Sequence, residues 1–437
     1  MEVMKRAVIF LGLPLLAALL TGCPMLEPPV SSTCPGDNSL STQSLDPTWT
    51  VSSTPAGLAD FTQAHVPGEL IVYIKNPQVL SNAAGATLRP LFNNWQSPWY
   101  VVQVAEGQEE AAARSLLNAG ANFVQPNYLY QLLRTPNDPK WDYQKPYFDE
   151  LLQLPAIWEQ TTGDASLHLA VIDTGYMPHP DLLPRLTCPS GKKLDVADQD
   201  TDPRDPGSDD GKSHGTAVAG VLGAVTNNTQ GIAGVTWVGP ILPLKVFHDG
   251  SQKTSTTNIT AAIELASSLG ARVINLSLGS SASDTALSQA MAQARNQGVV
   301  IVAAAGNDGG AVLFPAKDPA TIAVGAVDSS KQRASFSNTG PELDLVAPGV
   351  NVYSFSNQRS FAYWSGTSIA APFVSGIVAL YMSAYHTAYG DWPNPDQVYQ
   401  CLTQTAEDLG LEGKDDDYGF GLVRPDRIIN DANHCFP

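Results

Sequence analysis

The sequence predicts an α/β protein in which a parallel β-sheet carries helices on both faces, preceded by a small α+β unit. Three observations point there. Over residues 165–405, short apolar runs alternate with segments of helical period. One helical stretch, 367–385, is so apolar and small-sided that it must be buried. Near residue 67 a Pro-, Ser- and Thr-rich stretch gives way to strand-like alternation. A chain of 437 residues, 43% of them hydrophobic, can bury a large core. Its formal net charge of −18 argues against nucleic acid as a partner, because binding phosphate requires a basic face.

Taken in order, Lys5 and Arg6 precede an apolar run from Ala7 to Leu20, the layout of an export signal and too short to span a bilayer. Residues 1–22 therefore read as a signal peptide and 23–66 as a flexible tether. In the next unit, 67–134, strands are expected at 69–75, 99–104 and 123–128, and a helix at 109–117. Prolines 136, 139, 146 and 155 make 135–160 read as an exposed linker that becomes the start of the last domain, 135–437. Within that domain, strands are expected at 167–172, 241–246, 273–278, 299–304 and 322–327. Helices are expected at 216–225, 259–269, 285–296 and 367–385. Ligands of such sheets bind at the carboxyl ends of strands, where Asp173, Ser277 and Asn307 fall.

Three short motifs carry chemistry. Val171-Ile172-Asp173-Thr174-Gly175 is a buried strand that ends on a carboxylate. Ser213-His214-Gly215-Thr216-Ala217-Val218-Ala219-Gly220 delivers an imidazole at the start of a helix. Gly366-Thr367-Ser368-Ile369-Ala370-Ala371-Pro372 puts a hydroxyl in the first turn of another, among unpaired N–H groups. Singly, they are a strand-end cap, a loop histidine and an N-cap serine. Jointly, they are the nucleophile, base and orienting carboxylate of acyl transfer. The three motifs are similar to those of the subtilisin-like serine proteases, whose triad runs in the same order, Asp, His, Ser. Chymotrypsin and the α/β-hydrolases use other orders. The resemblance covers residues 135–430, and Tyr176, where an aliphatic residue is usual, departs from it.

The resemblance implies a serine endopeptidase with a subtilisin-like fold, acting on protein or peptide substrates through Asp173, His214 and Ser368. Asn307, in Ala304-Ala305-Gly306-Asn307, would complete the oxyanion hole. Ser277, Leu278 and Gly279 with Ala305 and Gly306 would line the first specificity pocket. No charge sits in either segment, so an apolar side chain is expected there; Ser280, where many relatives have a second glycine, leaves the width open. Residues 225–234 resemble the family's calcium loop, implying a structural Ca2+ held by the Asp181 and Asn228 side chains and the carbonyls of Thr226, Gln230 and Ile232. The alternative is an Asn-rich surface turn. The run Asp198, Asp200, Asp202, Asp205, Asp209 and Asp210 is either a further cation site or a solvated acidic loop.

Residues 67–134 look like the family's propeptide, an inhibitor whose last strand leads into the cleft; the alternative is a permanently attached substrate-binding module. Leu20-Thr21-Gly22-Cys23 resembles a bacterial lipobox, which implies lipidation of Cys23 and membrane contact only through that anchor. The alternative is an ordinary cleaved signal with an incidental cysteine. The expected location is the cell envelope, or the medium after processing. Of the five cysteines, Cys401 and Cys435 are expected to pair, stapling the C-terminal tail to a helix near 397–405. Cys188 is left unpaired or joined to Cys34.

Overall fold

A computed structural model describes residues 65–76, 87–90, 98–129, 134–208 and 210–436, together with Ala59 and Phe61. The expected signal, Cys23, Cys34 and Asp209 lie outside the described residues.

The first unit comprises β1 (His65–Tyr73), β2 (Thr87–Pro90), β3 (Trp99–Gln103), α1 (Glu109–Asn118) and β4 (Phe123–Tyr128). Its strands form one antiparallel sheet in the order β2-β3-β1-β4. Alternation along β1 turns Leu70 and Val72 into a small core shared with Leu116 of α1 and Val124 of β4. Strand β1 begins inside the segment expected to be tether. Strand β2, a four-residue Thr-Leu-Arg-Pro, carries too little pattern to be read from sequence.

Residues 135–160 are not an exposed linker, and here the expectation is overturned. They form α2 (Trp141–Lys145), a π-helical turn (Pro146–Leu151) and α3 (Leu154–Trp158). Phe148, Leu152, Leu154, Ile157 and Trp158 are completely buried. The Phe148 ring meets Trp141 edge-on at 5.9 Å and Phe373 at 5.1 Å. Pro155 sits in the first turn of α3, where the missing N–H breaks no hydrogen bond, while Pro146 ends α2 and opens the π-helical turn without leaving the helical path. These prolines lie within structure rather than in a loop.

The remaining elements are β5 (His168–Asp173), α4 (His214–Gly223), β6 (Ile241–Lys245), α5 (Thr256–Ser268), β7 (Ala271–Leu276), α6 (Thr285–Asn296), β8 (Val300–Ala304), β9 (Thr321–Val327), β10 (Leu345–Pro348), β11 (Val352–Phe355), β12 (Phe361–Trp364), α7 (Thr367–Tyr389), α8 (Pro395–Thr405) and α9 (Pro425–Ile428). Six strands form an all-parallel sheet in the order β10-β9-β8-β7-β5-β6. Every residue of β6, β8 and β9 is buried, so both faces of the sheet are covered. Helices α4 and α7 pack together, as do α5 and α6. Helices α4 and α5 begin earlier than the apolar pattern suggests, because the Ser213 and Ser255 hydroxyls accept the N–H groups of Thr216 and Asn258 as N-caps.

Helix α7 is long and apolar enough to cross a membrane, but 94% of its most apolar window is buried, which makes it the core helix. The Cys401–Cys435 disulfide ties α8 to the C-terminal tail as expected. Cys188 is exposed and has no disulfide partner among the described residues. Replacing Trp158 by Ala, in a Ser368→Ala background that prevents self-digestion, should cost about 3–5 kcal/mol in denaturant unfolding. A cost under about 0.5 kcal/mol, the level of an exposed surface position, would restore the linker reading.

Candidate active site

Asp173 ends β5 with its side chain 2% exposed, and His214 opens α4. The Asp173 Oδ1 atom lies 2.8 Å from His214 Nδ1 and accepts the Thr174 N–H at 2.7 Å. Its Oδ2 is buried with no partner among the described residues. Burial alone would lower the pKa of His214, but the charge and hydrogen bond of Asp173 outweigh it and hold the imidazole above the ordinary histidine value; Asp205 adds in the same sense. The Trp364 ring stands edge-on to the imidazole at 6.3 Å.

The acidic run separates into individual bonds. Asp198 binds the buried Lys245 and His248, Asp202 pairs with Arg204, and Asp210 with Lys212. Asp205 does something different. Its Oδ2 accepts both Thr174 Oγ1 at 2.6 Å and Ser213 Oγ at 2.7 Å, gripping the residue after Asp173 and the residue before His214. Thr174 Oγ1 in turn accepts the Gly215 N–H at 3.1 Å. The Tyr176 side chain departs from the family pattern, yet its carbonyl anchors the Asp205 N–H at 2.8 Å. Nothing in the sequence pattern separates Asp205 from its acidic neighbours.

Ser368 occupies the second position of α7, so its N–H is one of the free donors at the helix start and bonds to no described acceptor. Pro372 lacks the N–H that would have bonded the Ser368 carbonyl within the helix. That carbonyl instead accepts Ser277 Oγ at 2.7 Å, and a buried chain runs on through Asn275 to Ser375. Ser368 Oγ shares the cleft with His214 without a hydrogen bond between them; such contacts commonly tighten when substrate docks.

Asn307 follows β8 in an exposed turn. Its Oδ1 accepts both the N–H and the hydroxyl of Thr367, at 2.8 and 3.0 Å, which fixes the amide and leaves Nδ2 free to donate. Gly366 measures the convergence: with φ at +154°, a Cβ built on it would lie 3.0 Å from Ser368 Oγ and 3.5 Å from Asn307 Nδ2. The Ser368 hydroxyl and the Asn307 amide therefore address one volume. Ser277, Leu278, Gly279 and Gly306 line the same cleft, while Ala305 is fully buried behind it.

At the loop after α4, Asp181 Oδ2 accepts the Ile232 N–H at 2.9 Å and Oδ1 accepts Asn228 Nδ2 at 2.7 Å. The loop also holds a residue the sequence reading missed. Asp138 accepts the N–H groups of Asn227 and Asn228 at 2.8 and 3.2 Å. Both carboxylates are at most 3% exposed and neither has an ion-pair partner among the described residues. Burial pushes the Asp181 carboxyl up to about 7, with the Asp138 charge adding, and burial raises Asp138 as well. The carbonyls of Thr226, Gln230 and Ile232 accept no hydrogen bond from described residues. Two unpaired buried carboxylates beside free carbonyls suit a hard cation, although no cluster of three or more His, Cys, Asp or Glu occurs among the described residues.

A parallel sheet with an acid at one strand end, and an imidazole and a hydroxyl at two helix starts beside it, is the arrangement of a serine endopeptidase. Residues 164–421 match the Subtilase family, and the chain belongs to that family. It is 38% identical over 366 residues to a thermophilic serine proteinase of Bacillus sp. (strain AK1), covering 82% of this chain and 86% of that one. Subtilisin DY of Bacillus licheniformis is 37% identical over 286 residues, which is 64% of this chain and 96% of the relative. Among solved structures, a protease of Pseudoalteromonas arctica superposes with a TM-score of 0.60 at 32% identity, covering 68% of this chain and 99% of that one.

Replacing Asp205 by Asn should lower kcat about 10- to 100-fold by loosening Asp173 against His214. To act as the base expected from the sequence, His214 must be neutral, and a raised pKa places the acid limb of kcat/KM at higher pH; losing the Asp205 charge should move that limb down. A fall in rate with an unmoved limb would reduce Asp205 to a purely structural part.

Proposed function

We propose that this endopeptidase works through an acyl-enzyme on Ser368. The observation that carries the reading is the convergence of Ser368 Oγ and Asn307 Nδ2 on one volume beside the Asp173–His214 pair. Ser368 Oγ attacks the scissile carbonyl while His214 takes its proton, then returns it to the leaving amine. Water attacks the acyl-enzyme, His214 takes a proton from it, and Ser368 departs reprotonated. Asp173 fixes the imidazole tautomer and stabilises the imidazolium. The developing oxyanion lies between Asn307 Nδ2 and the Ser368 N–H; removing the corresponding asparagine in subtilisin costs about 3–4 kcal/mol. Ser277, Leu278, Gly279 and Gly306 form the walls of the first side-chain pocket, backed by the buried Ala305.

Export is supported by the apolar leader, by a disulfide suited to an oxidising compartment, and by a relative named an extracellular serine protease. That relative, Nep of Natrialba magadii, is 35% identical over 323 residues, covering 73% of this chain and 57% of its own. Cys23 is the lipid attachment site, tethering the unprocessed chain to a membrane. The unit β1–β4 acts as an inhibitory propeptide; the 366-residue similarity to the thermophilic proteinase is too long to lie within the sheet domain alone. The maturation cut falls before Asn137, because from there on the chain is bonded into the loop at 227–231. A structural Ca2+ would be held by Asp181, Asn228 and the carbonyls of Thr226, Gln230 and Ile232, with Asp138 close by; it would neutralise the buried carboxylates and rigidify the loop.

Two experiments test the reading. The intact mass of the wild type lacking residues 1–23 is compared with that of its Ser368→Ala variant, both with calcium. Only the wild type should lose an N-terminal fragment ending before Asn137; two uncut chains would overturn self-processing. Chelation should lower the Tm of the Ser368→Ala protein by about 5–10 °C, the effect of a ligand near a hundredfold above its Kd. The same treatment should do nothing to an Asp181→Asn version, and an equal drop in both would refute the calcium assignment.

A further inference from the structure

The two walls of the proposed first side-chain pocket are Ser277-Leu278-Gly279, after β7, and Gly306, which follows the buried Ala305 after β8. Glycines on facing walls leave a slot wide enough for a large side chain, provided nothing fills it. In this chain Leu313 fills it. A Cβ built on Gly306 would lie 2.8 Å from Leu313 Cγ and 2.9 Å from its Cδ1. One built on Gly279 would lie 3.2 Å from Leu313 Cβ and 3.2 Å from the same Cδ1. The isobutyl group is therefore wedged against both glycine faces, where the side chain on the acyl side of the scissile bond would lodge.

Leu313 is also firmly placed. Its N–H donates to the Ala305 carbonyl at 2.8 Å, which stitches it to one wall. The next residue, Phe314, exchanges two backbone hydrogen bonds with Ser280, at 2.7 and 2.9 Å, which stitches it to the other. Leu313 itself is only half-buried and lines the cleft shared by Ser368 and Asn307, so its exposed part faces substrate. The width that Ser280 left open in the sequence is set by its backbone pairing, which carries Leu313 into the slot.

We infer that Leu313 sets the primary specificity of this protease by shortening the pocket, so that it cleaves after small residues of alanine size rather than after large apolar or aromatic ones. The inference rests on the proposed role of Ser368 and names the substrate class of that same site. A side chain the size of phenylalanine enters only if Leu313 is displaced, and its two stitched walls hold it there. Each methylene the pocket rejects is worth on the order of tenfold in kcat/KM, which sets the discrimination expected.

The test uses the mature enzyme and three tetrapeptide p-nitroanilides identical except for a final Ala, Leu or Phe. The wild type should prefer Ala over Phe by at least about tenfold. Leu313→Gly, or the milder Leu313→Ala, should raise the Phe-to-Ala ratio by on the order of 100-fold. Mapping the bonds cut in a denatured protein gives an answer that needs no variant: small residues should precede the cuts. A wild type that cleaves the Phe substrate as well as the Ala one, or cuts mainly after aromatic residues, overturns the inference, as does an unchanged ratio in both variants. No turnover of any substrate, with no fluorophosphonate labelling of Ser368, overturns the acyl-enzyme reading and this inference with it.

Discussion

The burial of α7 is the constraint on which the rest of the molecule depends. A helix covered from Thr367 through Ser383, apart from the half-buried Ser368, cannot slide or rotate without opening voids in a close-packed interior. Small residues make that burial achievable. At Gly376 an added Cβ would sit 2.6 Å from Val235, so the helix approaches its neighbour as closely as a backbone can. Because the body of the helix is fixed, its first turn is fixed too, and with it the Ser368 hydroxyl that lines the cleft. Position is obtained from packing far from the chemistry.

The first turn is then tied to the sheet by polar groups that have each been released from ordinary helix bonding. Pro372 frees the Ser368 carbonyl for Ser277, and the helix start leaves the Ser368 N–H without an intrahelical acceptor. Thr367 spends its N–H and hydroxyl on Asn307, which orients the amide of a residue otherwise exposed in a turn. On the other side of the cleft, Asp205 holds the residues flanking the acid and the imidazole. The two halves of the site thus come from separate elements and have separate supports. The sheet and the direct packing of α4 on α7 relate them, so the halves meet beside the carboxyl ends of the strands.

Much of this was legible in sequence because each reactive group lies in a short segment whose local physics is unusual. A buried strand that ends on Asp173, and a small-residue helix that opens on a serine, each conflict with ordinary composition. The parallel sheet was legible from period and alternation alone. What escaped was whatever depends on contacts between distant segments. Asp205 looks like its neighbours until Thr174 and Ser213 are seen to converge on it. Asn275 is an anomalous polar residue in an apolar strand, but its partner, Ser375, is set by the register of α7 against β7. Leu313 is one apolar residue among many, and only the facing glycines give it meaning. The prolines of 135–160 misled because proline marks a helix start as readily as a loop.

That misread segment also explains how two parts of the molecule are coupled. Asn137 donates its N–H to Asn227, Asp138 accepts from Asn227 and Asn228, and Lys140 donates to Gly231. The beginning of the sheet domain is thereby bonded to the same loop that offers oxygens to a cation, and Trp141 follows directly into the aromatic core. A carboxylate buried at Asp138 without a basic partner is tolerable only while the surrounding N–H groups, or a cation, offset its charge. Loosening the loop would expose that carboxylate and release Asn137 through Lys140, and with them the edge of the core at Trp141. The loop and the first turn of the domain are therefore one cooperative unit. A cation stabilising the loop would therefore also hold down Asn137 through Lys140 and, with them, the edge of the sheet domain.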